Sequence, residues 1–285
     1  EEKDISIINT KQTIKMAGRG RPRKKVGLDG LPITASSKKA MLKVKLTKMD
    51  DVEFDASLFT PIKTGTIVDT ILSNEGGIFP GTNTVVVGDP GVGKSTVLLD
   101  WIANFQAKGK RVLFISGEMN EIDMHGYAKR FPKFGGLPIL FMQQYADNAQ
   151  AAVEKVLEEG YDVILIDSWA EINDLVQEGN GWTRRKAESW LLDLMDKHNK
   201  GENDNKKHSA FICIQQMTKG GDFAGSNRIK HMTTAMAQLK FDGRGRDAQR
   251  YIEFSKNRRG DSGDKIFFSL FRPNNVEYNF EELEE

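Results

Sequence analysis

Residues 88–95 read GDPGVGKS, a glycine-rich turn closed by a lysine and a hydroxyl at the spacing G-x-x-x-x-G-K-[ST]. That pattern suits a grip on a polyphosphate. Gly88, Gly91 and Gly93 let the backbone curl so that successive N–H groups face an anion, with Asp89, Pro90 and Val92 filling the turn between them. Lys94 is expected to set its ammonium against the β- and γ-phosphates, Ser95 to offer its hydroxyl to Mg²⁺, and Thr96 to lie beside the α-phosphate. A helix starting here adds the partial positive charge of its N-terminus. A strand precedes the turn and a helix follows, so a ligand-free glycine turn is the weaker reading. The expected ligands are a nucleoside triphosphate and Mg²⁺.

Two carboxylates complete a candidate site. DVILID at 162–167 is a buried apolar strand ending in Asp167, which would sit near the Mg²⁺ shell, usually through a water. The alternative is a core strand followed by a capping Asp. ISGEMNE at 115–121 places Glu118 directly after another strand, where a carboxylate can orient and polarise an attacking water. A helix-start Glu drawn to the dipole is the other reading, and Glu121 suits it better than Glu118.

These groups need a frame that holds them at the ends of strands. Short apolar runs at 84–88, 111–116, 138–142, 162–167 and 209–214 read as strands. Amphipathic stretches at about 94–107, 121–131, 147–159, 183–198 and 229–238 read as helices, with Asp147 as the N-cap of the third and Gly160 as its stop. Alternating strands and helices imply an α/β fold with a mainly parallel sheet flanked by helices. QRYIEFSKN and KIFFSLF then extend the sheet antiparallel at one edge.

The chain has 285 residues with 41 Lys+Arg against 40 Asp+Glu, but the balance hides an asymmetry. Residues 1–50 are strongly basic, while 51–285 are mildly acidic. The first segment reads as a disordered basic arm and the second as one catalytic domain. No run approaches the ~18 consecutive apolar residues of a membrane helix, so no membrane partner is expected. The N-terminus has no apolar leader pattern. The single cysteine, Cys213, excludes an internal disulfide framework and is expected to be inert core. His125, His198, His208 and His231 lack metal-ligand spacing and read as ordinary surface or helix residues. Together these features point to a cytoplasmic protein.

The run TGTIVDTILSNEGGIFPGTNTVVVGDPGVGKSTVLL resembles the opening of the ATPase core of the RadA/Sms proteins of the RecA superfamily. ISGEM, DVILIDS, QQMTKGGDFAGSNRIKHM and SKNRRG follow in that family's order, so the resemblance covers roughly residues 60–272. It implies a RecA-type P-loop NTPase core that binds ATP and Mg²⁺. It also implies ATP-driven work on DNA in recombination or repair, as a homo-oligomeric ring or filament. By position, Glu118 matches the catalytic glutamate and Gln216 the residue that senses the γ-phosphate. Lys256 and Arg258 match cations that reach a neighbouring subunit's nucleotide, where a guanidinium can stabilise charge on the γ-phosphoryl oxygens; spacing alone would read KNRRG as a solvated basic turn. The chain departs from the RadA pattern at Gln216, where RadA often has His and DnaB helicases have Gln, and at Arg259, where RadA has Phe. A DnaB-like helicase motor and a KaiC-like signalling ATPase without a DNA role are the alternatives. Tyr127 lies near where relatives place an arginine against adenine, and either stacks there or packs in the core.

Three segments are candidates for DNA. MTKGGDFAGSNRIKH at 217–231 carries Lys219, Arg228 and Lys230 and matches the loop that faces the single-stranded DNA channel in RecA-like proteins. EGNGWTRRK at 178–186 offers Trp182 for stacking and Arg184 and Arg185 for phosphates, or is a loop with a buried tryptophan and a solvated helix start. GRGRPRKK at 18–25 contains an AT-hook core in which Arg19, Arg21 and Arg23 would enter the minor groove of A·T-rich duplex, or it is a nonspecific basic tail.

Overall fold

The computed structural model describes residues 5–7, 42–44, 46–216, 227–243, 245, 248–270 and 275–280. The chain divides into two units, Glu1–Phe54 and Asp55–Glu285. In the first, β1 (Ile5–Ile7) pairs antiparallel with β2 (Leu42–Val44). The remaining residues up to 45, including the AT-hook-like ones, lie outside the described residues.

The second unit opens with a 3₁₀ turn (Ala56–Phe59), followed by a short helix, α1 (Asp69–Leu72), whose Asp69 carboxylate accepts from the amides of Thr64 and Gly65 at 2.8 Å each. Strands and helices then alternate. They are β3 (Asn83–Gly88), α2 (Lys94–Ala107), β4 (Val112–Ser116), α3 (Glu121–Arg130), β5 (Ile139–Phe141), α4 (Ala149–Leu157) and β6 (Val163–Asp167). After them come α5 (Trp169–Asn180), α6 (Arg184–Asn199), β7 (Ala210–Ile214) and α7 (Asn227–Met232). The chain closes with β8 (Ala235–Asp242), β9 (Gln249–Asn257), β10 (Lys265–Ser269) and β11 (Glu277–Asn279). Among the described residues, β3 to β11 form one nine-stranded sheet in the order β11-β10-β9-β8-β3-β7-β6-β4-β5. The six strands from β8 to β5 run parallel, and β9, β10 and β11 continue antiparallel at the other side, as expected. Among the described residues, no helix is long and apolar enough to cross a membrane.

The continuous apolar runs are explained by burial on both faces of the sheet. Val86, Phe114, Leu165 and Ile212 face α2, whose Leu98, Trp101, Ile102 and Phe105 are fully buried. The alternate residues Val85, Leu113, Ile164 and Phe211 face α4, α5 and α6 through Val153, Ile172, Val176, Leu191 and Met195. Cys213 lies in this second layer, where burial pushes its thiol up. His198, one of the four histidines read as surface or helix residues, is a buried helix residue on α6, with Asn203 Nδ2 at 3.3 Å from its Nδ1.

A buried polar cluster ties the last strand to the first long helix. Asp100 on α2 has no exposure. It pairs with the Lys133 ammonium and accepts from Tyr278 Oη and Asn104 Nδ2 at 2.9 Å each. Burial raises its carboxyl, with the Lys133 bond and charge opposing.

Three expectations are corrected. The helix expected at 229–238 ends at Met232, and Ala235–Asp242 is a strand beside β3. Ile229, Met232, Met236 and Leu239 carry a helical spacing, but Ala235, Ala237 and Leu239 are the residues buried, with a period of two. The β-branched pair Thr233-Thr234 breaks the helix, and the Thr234 amide bonds to Asn83 O at 2.8 Å, which starts the pairing. The third expected helix starts at Ala149, because the preceding Met142–Asn148 is 3₁₀ turn, so Asn148 and not Asp147 is its cap. Finally, 178–186 is not a long loop: α5 runs to Asn180, Gly181 turns, and Thr183 caps α6 by accepting from the Lys186 amide. Gly160 does end the α4 segment, with φ of 73° and its amide on Leu157 O at 3.1 Å.

Candidate functional site

The parallel order brings the carboxyl ends of β3, β4, β6 and β7 to one edge of the sheet. Ligand sites in open α/β sheets form at such an edge. The loop after β3, the turn after β4, the last residue of β6 and the residues after β7 therefore face a common cleft of ≈ 890 Å³.

Gly88 ends β3 against the neighbouring strand so closely that a Cβ there would lie 2.2 Å from Leu239 O. Val92 is fully buried and anchors the turn, while Asp89, Pro90 and Gly91 stay exposed. Gly93 sits at φ 103° as the N-cap of α2 and leaves that terminus without a side-chain cap. The first amides of α2 are thus available to an anion. Lys94 Nζ donates to Gly88 O at 2.9 Å and to Asp89 O at 3.0 Å, which holds the ammonium across the loop. Burial lowers its pKa, and the charges of Asp167, Glu118 and Asp89 oppose that. Thr96 is buried beneath the loop and also lines the cleft.

Ser95 Oγ donates to Asp167 Oδ2 at 2.6 Å, joining residues 72 positions apart. Asp167 is 2% exposed. Burial pushes its carboxyl up to about 6, with the Ser95 bond opposing and the Glu118 charge adding. The Asp167–Ser168 peptide is cis. Asp167 O accepts from the Gly117 amide at 2.7 Å, which fixes the turn carrying Glu118 beside β6. The exposed Glu118 carboxylate accepts from Gln216 Nε2 at 3.1 Å. Glu121 takes the first turn of α3, whose cap is Asn120.

The expected loop residues, Glu118, Asp167 and Gln216 are therefore together. Tyr127 also lines the cleft, with Arg130, Ile214 and Leu270, three residues that sequence reasoning missed. Arg130 lies over the Tyr127 ring at 5.3 Å and the Phe131 ring at 4.9 Å. Its position three residues after Tyr127 puts both on one helix face, the signal that was available. Glu171, in the first turn of α5, is not among the residues lining the cleft. Its carboxyl is raised by burial and by the charges of Glu118 and Asp174.

Lys256 and Arg258 lie elsewhere. β9 runs antiparallel to β8, so Asn257 pairs with Ala235, which pairs with Thr84. Thr84 is four residues, or about 13 Å of strand, before Gly88. The two cations thus stand at the opposite end of the sheet from the loop. Lys256 Nζ donates to Lys230 O and Thr233 O at 2.7 Å each, and the Arg258 side chain is exposed. Arg184 and Arg185 are exposed in the first turn of α6. Trp182 is half-buried against the core with the Lys186 ammonium 3.9 Å from its ring centre. Lys230 is exposed on α7, and Arg228 belongs to the same helix. Arg19, Arg21, Arg23 and Lys219 lie outside the described residues. A second hollow of ≈ 640 Å³, lined by Trp182, Trp190 and Glu154, has none of the loop's amides.

No family model matches the sequence. The DNA repair protein RadA of Mycobacterium tuberculosis (strain ATCC 25618 / H37Rv) is 29% identical over 230 residues, which is 78% of this chain and 44% of that protein. The DNA repair protein RadA of Listeria monocytogenes is 27% identical over 198 residues, 68% of this chain and 40% of that protein. The chain spans less than half the length of these curated relatives. Among solved structures, a KaiC-like protein of Pyrococcus horikoshii superposes with a TM-score of 0.58 at 19% identity, covering 77% of this chain and 99% of its own. The flagellar accessory protein FlaH of Methanocaldococcus jannaschii gives 0.57 at 15% identity with the same coverages. These two likenesses show the fold alone: a mainly parallel sheet flanked by helices.

Proposed function

We propose that this chain, a RadA-like ATPase core of the RecA superfamily, hydrolyses ATP and couples that hydrolysis to work on DNA in recombination or repair. The observation that carries the reading is the meeting of Lys94, the Ser95–Asp167 pair and the Glu118–Gln216 pair at one cleft.

In this reading the loop amides and the Lys94 ammonium hold the β- and γ-phosphates. Ser95 Oγ and the Asp167 carboxylate are hard oxygen donors 2.6 Å apart, a set that fits Mg²⁺. These two residues would hold the ion, which when bound neutralises charge on the phosphate oxygens. Glu118 accepts the proton of an attacking water and orients it. Gln216, bonded to Glu118, is placed to register whether the γ-phosphate is present. Lys256 and Arg258 stand too far along the sheet to serve their own loop. That separation supports a role in trans, with copies associated as a ring or filament. Lys230, Arg184 and Arg185 are exposed cations for single strands, and the basic N-terminal segment for duplex. A cytoplasmic setting follows from this work.

The test is ATP turnover with Mg²⁺ at low salt, with and without single-stranded DNA, for the full chain and for a variant lacking residues 1–50. Single strands should raise turnover. Removing 1–50 should weaken DNA affinity and flatten its salt dependence while sparing turnover at saturating DNA. Three-strand branch migration with ATP would support the RadA-like role, and duplex displacement on a fork the DnaB-like alternative. Turnover unmoved by DNA would overturn the DNA reading in favour of a KaiC-like role.

A further inference from the structure

We propose that Lys256 is a two-position tether: it caps α7 within its own chain and releases that helix when its ammonium is drawn to a neighbouring copy's triphosphate. The inference rests on the nucleotide reading above and adds a regulation to the same site.

A helix end leaves its last carbonyls without intrahelical partners, and a cation is favoured there. Lys256 fills that role for α7, with Nζ at 2.7 Å from both Lys230 O and Thr233 O. The turn it closes is a junction. The Thr233 amide donates to Ile229 O at 3.1 Å, the Thr234 amide to Asn83 O at 2.8 Å, and the Arg258 amide to Thr234 O at 3.1 Å. The end of α7, the start of the strand that carries the phosphate loop, and the end of β9 therefore meet at one point. Lys256 is half-buried there, and burial and the adjacent Arg258 charge lower its pKa.

An ammonium has three protons, and two are engaged by these carbonyls. A triphosphate on a neighbouring copy offers several anionic oxygens, which form stronger, charge-assisted bonds than neutral carbonyls do. A Lys256 that reaches a neighbour must leave the carbonyls. Engagement in trans and loosening of α7 are then one event. Because α7 leads into β8, and β8 pairs with β3 from Thr84 to Gly88, the neighbour's nucleotide is felt beside the chain's own phosphate loop. Lys256 thus acts as a positioning residue for α7 as well as a cation for the neighbouring site.

The experiment is amide hydrogen exchange over residues 227–234 in the full chain. It is run with and without a nonhydrolysable ATP analogue and Mg²⁺, at protein concentrations below and above self-association, with analogue binding measured in parallel. The expected result is about tenfold faster exchange with nucleotide above that concentration and no change below it, equivalent to about 1.4 kcal/mol. Lys256→Met should exchange fast without nucleotide and lose the response, and Lys256→Arg should recover it. A purely structural cap would give the Lys256→Met effect but no nucleotide response in the unmodified chain. Exchange that stays unchanged while the analogue is bound and copies are associated overturns the tether and leaves the nucleotide site standing. Binding without association at any concentration overturns the contact in trans. Failure to bind the analogue overturns the reading underneath.

Discussion

Asp167→Asn should make the protein more stable at neutral pH while disabling it. The carboxyl is pushed from its ordinary value of 3.8 up to about 6, mainly by burial. Between those values the folded chain binds a proton that the unfolded chain does not. Stability therefore falls as pH rises through this window, and the cost of the buried charge is fully present above about pH 7. A gap of about 2.2 pH units corresponds to about 3 kcal/mol. Asparagine has nearly the same shape, and its Oδ1 can still accept from Ser95. Lys94 loses a nearby opposite charge in the variant, which returns part of the gain and leaves about 2 kcal/mol. For a unit of this size that is a rise in Tm of about 4–8 °C at pH 8. The advantage should fall to about half near pH 5 and nearly vanish near pH 4. Thermal unfolding of both chains between pH 4 and pH 8.5 measures it. A variant less stable than the parent at pH 8, or an advantage that does not change with pH, would refute the reasoning. Mg²⁺-dependent turnover should fall by about 10–100-fold or more.

Other substitutions separate the parts of the site. Gly88→Ala brings a methyl to 2.2 Å from Leu239 O, so the loop or β8 must shift; a loss of about 1–3 kcal/mol in urea unfolding, with weakened nucleotide binding, is expected. Glu118→Gln should keep nucleotide affinity and lower turnover by about 10²–10⁴-fold, read from binding and single-turnover assays on one preparation. Tyr278→Phe removes a bond to the buried Asp100 carboxylate and should cost about 1–3 kcal/mol of stability while leaving nucleotide affinity near that of the parent.

Much of this was legible in the sequence because burial on both faces writes a parallel strand as an unbroken apolar run. VLFIS and VILID gave β4 and β6 in that way, and GDPGVGKS marked the turn between β3 and α2. β8 was misread because its residues fit two periods at once, and only pairing with β3 decides between them. α5 was passed over although Ser168 caps it, Glu171 follows three residues later, and Trp169, Ile172 and Val176 share a face. The Glu118–Gln216 contact joins positions 98 apart and comes from strand order, not from local pattern. The same holds for Lys256: spacing alone reads KNRRG as a solvated turn and the family resemblance implies a phosphate partner, whereas the antiparallel register sets its ammonium on the carbonyls of Lys230 and Thr233.

Equilibrium binding of ATP with and without Mg²⁺, for the parent chain and for Lys94→Ala, addresses the central claim most directly. Magnesium-dependent binding by the parent, weakened at least ~100-fold in the variant by the loss of a charge-assisted grip in a water-poor site, is the predicted result. A parent chain that binds no triphosphate, or a Lys94→Ala chain that binds it equally well, would contradict the account.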